Sequence, residues 1–145
     1  MKKDLNLLIV SGLKNRRILS QFLAGLPIHV FTAASISQAQ ELVFRQQIQV
    51  VFCEERLPDG SFRDLLRRQF VKAQATRWVV LLTTGEWAEY LEALKLGATD
   101  AVRCPVKSTD VDLALIRATR NMPGTEFPSP LSTKTAMSRE TARLK

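Results

Sequence analysis

The sequence predicts an α/β sandwich in which a five-stranded parallel sheet of order 2-1-3-4-5 lies between layers formed by five helices. Three observations carry this expectation. Short apolar runs alternate five times with segments whose apolar residues recur at helical spacing. Strands that alternate with helices are joined by crossovers and so run parallel. The run Trp78–Leu82 is apolar throughout, as a strand covered on both faces should be.

Each element has its own signal. Leu5–Val10 is a short apolar strand stopped by the turn Ser11-Gly12. In Asn15–Leu26, the residues Ile18, Leu19, Phe22, Leu23 and Leu26 form one helical stripe, and Gly25 and Pro27 punctuate its end. Ile28–Ala33 is the second strand. Ser37 and Gln40 are spaced as a capping box for a helix running to about Gln46.

The third strand is Ile48–Cys53. Phe62, Leu65, Leu66 and Gln69-Phe70 mark the next helix, whose opposite face carries Arg63, Arg67 and Arg68. After the fourth strand, Trp87, Tyr90, Leu91 and Leu94 stripe a helix that stops at Gly97. Thr99–Arg103 is a short fifth strand leading to Cys104-Pro105. Thr109 and Asp112 predict a second capping box, opening a helix to about Arg120. Five such units in 120 residues suit a flavodoxin-like arrangement, in which chemistry gathers at the carboxyl ends of the strands. Ser11, Gly12, Glu54, Thr83 and Cys104 all stand at such ends.

Composition narrows the class. The chain of 145 residues is 46% hydrophobic and 24% charged, which is globular rather than disordered. No apolar run approaches the roughly 20 residues that a membrane span needs. The start, Met1-Lys-Lys-Asp, leads into an apolar strand without a small-residue cleavage pattern, so no signal peptide is expected. Cys53 and Cys104 sit in apolar strand contexts and suit a reducing, cytoplasmic compartment. Under the assumed strand order they lie roughly 9–10 Å apart. A disulfide needs Cα atoms within about 7 Å, so buried thiols are expected. His29 is the only histidine and reads as structural.

The domain is expected to cover residues 1–120, with 121–145 as a flexible tail. That segment holds Pro123, Gly124, Pro128 and Pro130 and no apolar periodicity. The net charge is +7: residues 1–120 carry 17 Lys/Arg against 12 Asp/Glu, and the tail four against two. A basic surface that includes Lys14, Arg16, Arg17, Lys134, Arg139, Arg143 and Lys145 keeps a nucleic-acid-associated accessory role open as an alternative.

The stretch Val50-Val-Phe-Cys-Glu-Glu-Arg-Leu-Pro-Asp-Gly60, with Leu82-Thr83-Thr84, Gly97-Ala98-Thr99-Asp100 and Cys104-Pro105, resembles the receiver domain of bacterial two-component response regulators. The resemblance covers residues 4 to about 120. It implies an acidic pair after the first strand that holds Mg²⁺, and an aspartate acceptor ending the third strand. It further implies a lysine before the fifth-strand proline, a Thr or Ser ending the fourth strand, and an aromatic switch on the fifth. At these positions this chain has Ser11 and Gly12, Glu54, Cys104, Thr83 and Ala101. Only Thr83 matches the pattern.

These departures add up. Mg²⁺ takes octahedral oxygen ligands anchored by carboxylates, and here a hydroxyl and a glycine stand in for two of them. Without the metal and the lysine, charge on a transferring phosphoryl group has little to stabilise it. Glu54 is one methylene longer than aspartate, which shifts its oxygens by roughly an ångström, a large error for an aligned displacement. The chain is therefore expected to be a degenerate receiver with no catalytic residue, no metal and no cofactor. Glu54 is either a solvated carboxylate or a permanent imitation of an acyl phosphate near Thr83, balanced by Lys14 or Arg56. Its expected role is phosphorylation-independent protein interaction, with a kinase, another regulator or a second copy as partner. Trp87 and Tyr90 are the expected anchors, unless they belong to the core.

Overall fold

In the computed structural model the described residues are 5–69, 76–83 and 86–120. The readings made above for Phe70, Thr84 and the segment 121–145 lie outside them. In chain order the elements are β1 (Leu5–Val10), α1 (Leu13–Leu23), β2 (Ile28–Ala33), α2 (Ile36–Arg45), β3 (Val50–Glu54), β4 (Arg56–Leu57), β5 (Gly60–Ser61), α3 (Phe62–Gln69), β6 (Arg77–Leu82), α4 (Trp87–Lys95), β7 (Asp100–Arg103) and α5 (Ser108–Thr119). The main sheet has the order β2-β1-β3-β6-β7, and every pair in it is parallel. This is the predicted 2-1-3-4-5 arrangement.

Strand alternation divides the core in two. Leu8, Val10, Val51, Cys53, Val80 and Leu82 face α2, α3 and α4, packing with Ile36, Ala39, Phe62, Leu65 and Ala93. Leu7, Ile9, Val50, Phe52, Val79 and Leu81 face α1 and α5, packing with Leu19, Leu23, Val111, Ala114 and Leu115. The two cysteines follow the same rule. Cys53 belongs to the first cluster and Cys104 packs against the second, so their thiols lie on opposite faces of the sheet, and both are free.

Helix starts differ from the sequence expectation in α1, α2 and α5. α1 begins two residues early because extended Gly12 serves as its N-cap, its carbonyl accepting from Arg16 N at 3.1 Å. It ends at Leu23, before Gly25 with φ +85°. The capping box at the start of α2 uses Ser35 and Gln38 rather than Ser37 and Gln40. Ser35 Oγ accepts from Gln38 N at 3.2 Å, and Gln38 Oε1 accepts from Ala34 N at 2.8 Å. The amides of Ile36 and Ser37 donate to the Asp59 carboxylate at 2.8 and 3.1 Å. The capping box predicted at Thr109 is not used either: the N-cap of α5 is Lys107, without a side-chain cap.

Asp59 reaches α2 because the loop after β3 folds into a small antiparallel ribbon, β4 with β5, turning at Pro58-Asp59. The ribbon closes at Gly60, whose φ is +151°. A Cβ there would lie 2.5 Å from Asp64 Oδ2 and 2.6 Å from Ile36 Cδ1. Glycine is required at this point by both backbone and space.

Candidate functional site

The carboxyl ends of β1, β3, β6 and β7 bring Ser11, Gly12, Glu54, Thr83 and Cys104 to one end of the sheet, as their positions in the chain require. Within that end they separate into two groups. The cause is the alternation of β3, which sends Glu54 and the next residue, Glu55, to opposite sides.

On the α1 and α5 side, Asn15 Nδ2 donates to Glu54 Oε2 at 2.6 Å and to Cys104 Sγ at 3.7 Å. Glu54 is half-buried, and a Cβ on Gly12 would sit 4.0 Å from each of its carboxylate oxygens. Ser11 is fully buried, and its hydroxyl is turned inward to donate to the Gly12 carbonyl at 2.9 Å. Cys104 is joined to Pro105 by a cis peptide bond. Burial and the Glu54 carboxylate push its thiol up, against the weaker opposing pull of Asn15 and Lys14. Cys53 donates to the Glu54 carbonyl at 3.3 Å, and burial together with the Glu54 charge pushes its thiol far up.

On the α3 and α4 side stands Glu55, which sequence reasoning missed. It is 3% exposed. Its Oε1 accepts from Thr83 N at 3.1 Å and from Thr83 Oγ1 at 2.9 Å. Burial pushes its carboxyl up. A hydrogen bond shared with the Glu89 carboxyl, in which one of the two acids carries the proton, joins the bonds from the Thr83 amide and hydroxyl and the charge of Arg56 to outweigh burial and hold it below its usual range. The acidic doublet was the available signal, since consecutive residues at a strand end cannot face the same way. Thr83, expected near Glu54, is held by Glu55. Lys14 and Arg56, expected to balance Glu54, are exposed, and no ion pair among the described residues joins either to it.

A receiver-type Mg²⁺ does not fit this donor set. Of the described groups on the α1 side, only Glu54 offers a carboxylate, and Asn15 already directs a proton donor at it. Ser11 spends its hydroxyl on the backbone. Among the described residues no group of three or more His, Cys, Asp or Glu could hold a metal ion.

The expected interaction residues lie on α4. Trp87 is 69% exposed and stacks on half-buried Tyr90, with ring centroids 5.1 Å apart. Leu91, one turn on, is also exposed. Trp87 is therefore a surface residue, and Tyr90 is partly packed on the core. Arg63 on α3 grips α4 through Glu92, its Nε and Nη2 each 2.6 Å from a carboxylate oxygen. Ala101 occupies the position of the expected aromatic switch and lines a groove of about 490 Å³ with Arg103, Lys107, Asp110 and Leu113. Its amide donates to Asp100 Oδ1 at 2.9 Å, and Asp100 Oδ2 accepts from Arg117 at 2.8 Å. His29 stacks on Phe31 on the outermost strand, away from these groups. No described helix is long and apolar enough to cross a membrane.

Comparison with known proteins agrees with this fold. The response regulator protein PilR of Pseudomonas aeruginosa is 30% identical over 93 residues, 63% of this chain. The chain matches about a fifth of that relative's length, 20%. A two-component response regulator from Clostridium difficile superposes with a TM-score of 0.74 at 24% identity, covering 83% of this chain and 99% of that one. The chemotaxis response regulator CheY4 of Vibrio cholerae gives 0.73 at 19% identity, covering 79% and 98%. No family model matches the sequence. Strand order and these likenesses converge: the chain has the fold of a response-regulator receiver domain.

Proposed function

We propose that this receiver fold serves signal transduction as a protein-interaction module that does not depend on phosphorylation. The observation that carries the reading is the environment of Glu54. Among the described residues it is the one carboxylate on its side of the site, bonded to Asn15, with Ser11 and Gly12 in place of an acidic pair and Cys104 in place of a cation. Such a site lacks both the ligands for a divalent ion and the charge that stabilises phosphoryl transfer. The partner is a protein of a signalling pathway, whether a kinase, another regulator or a second copy of this chain. Trp87 and Leu91 on α4 supply the exposed aromatic and aliphatic surface typical of binding anchors.

The test is intact mass after incubation with acetyl phosphate and Mg²⁺. The mass is expected to stay unchanged. A stable phosphoryl increment mapping to Glu54 or Ser11 would overturn the reading. Retention on DNA that falls steeply with salt would favour a nucleic-acid role instead.

A further inference from the structure

Glu55 is a buried carboxylate that immediately follows β3. Its amide donates to the Leu81 carbonyl at 2.9 Å, and its carbonyl accepts from Phe62 N at 3.1 Å, so its backbone is fixed to β6 and to the start of α3. Its side chain then takes both donors of Thr83, the amide and the hydroxyl, on the same oxygen. A carboxylate that leaves water must be compensated by hydrogen bonds and charge. The Thr83 amide and hydroxyl and the charge of Arg56 supply these here, and the Arg63 guanidinium also feels Glu92, Glu55 and Glu89. Glu55 thus ties the ends of β3 and β6 to the start of α3, and the neighbouring Arg63 carries the tie on to Glu92 of α4, the helix that presents Trp87.

We propose that Glu55 is a built-in ligand of Thr83, a positioning residue that occupies this threonine from within and holds the start of α4 in one arrangement. The threonine that the family resemblance assigns to an incoming phosphoryl group is therefore already engaged, and the residue engaging it is not the one at the acceptor position. Any anion arriving over Glu54 would have to compete with a carboxylate fixed 2.9 Å from the Thr83 hydroxyl. The fixed presentation of the α4 face rests on the interaction-module reading; the Glu55–Thr83 lock itself does not.

The experiment is residue-resolved amide exchange on the full chain, comparing wild type with Glu55→Ala, Thr83→Val and the double variant. Glu55→Ala is expected to speed exchange at Thr83 and in the first turns of α4 on the order of tenfold, with α2 and α5 unaffected. The double variant should exchange no faster there than Glu55→Ala alone, because both changes remove the same contact. Should Glu55→Ala fail to fold, Glu55→Gln and Thr83→Ser carry the test. Gln keeps an acceptor without the charge and should show a smaller acceleration, and Ser keeps the donor and should resemble wild type. Unchanged exchange at Thr83 and α4 in a folded Glu55 variant, or additive effects in the double variant, overturns the proposal. A phosphoryl increment in the mass experiment would defeat the interaction-module reading while leaving this exchange result standing.

Discussion

Asn15 Nδ2 lies 2.6 Å from Glu54 Oε2, a contact made on the α1 side of the sheet end, where the alternation of β3 places the carboxylate. The same amide group touches Cys104, so the state of Glu54 should be legible in the reactivity of that thiol. Glu54 raises the Cys104 pKa through its charge. Glu54→Gln should lower it and give more thiolate at a fixed pH near 8. Alkylation of Cys104 by iodoacetamide, followed by mass spectrometry, should run severalfold faster in the variant, while buried Cys53 stays unmodified. An unchanged rate would mean that Glu54 exerts no field on the thiol.

Acid sensitivity should come in part from the α3–α4 cluster. Hydrogen bonding from Arg63 lowers the Glu92 carboxyl, and Glu55 is lowered as described above. A depressed folded pKa stabilises above the unfolded value, near the ordinary 4.5, and that contribution is lost as pH falls through the folded value. Melting temperature should therefore be flat near neutrality and decline below about pH 4.5. Glu55→Gln should make the decline shallower, and an identical profile would remove Glu55 from the account.

Gly60→Ala should destabilise the domain by about 1–3 kcal/mol, through both the unfavourable backbone conformation and the clash with Asp64 and Ile36. Urea unfolding with an unchanged m-value and a lower midpoint is the expected result. Loss of the turn would also withdraw Asp59 from the start of α2, so amide exchange at Ile36 and Ser37 should rise together with the destabilisation.

Trp87→Ala combined with Leu91→Ala separates binding from folding. Both side chains are exposed, so stability should change by no more than about 0.5 kcal/mol per site. Affinity for a protein partner, or self-association measured by sedimentation, should weaken by about tenfold or more if α4 is the anchoring face.

How far the sequence could be read depended on how local each determinant was. β1 and β2 have the predicted bounds because an apolar run and its stop are written into adjacent residues. The predicted Ser37/Gln40 box gave way to Ser35/Gln38, with Asp59, more than twenty residues away, taking the amides of Ile36 and Ser37. The β4–β5 ribbon is too short to leave a periodic trace. In the site, the position of Glu54 at the strand end was legible from the turn that follows it. Its bond to Asn15 and the capture of Thr83 by Glu55 were not: the strand period parts Glu54 from Glu55, but the partner each meets comes from a distant segment.

The Asp100 carboxylate has a consequence for assembly. The last strand of an open sheet normally offers its main chain to any extended segment that comes alongside. Here the outward amide of Ala101 is already taken by Asp100, and Arg117 holds that carboxylate in place from α5. At this point the edge is shut to strand addition. A second chain meeting the sheet at that point finds side chains such as Arg103, Lys107 and Leu113 in place of a free amide, and recognition through side chains is written in sequence, where a single substitution can rewrite it.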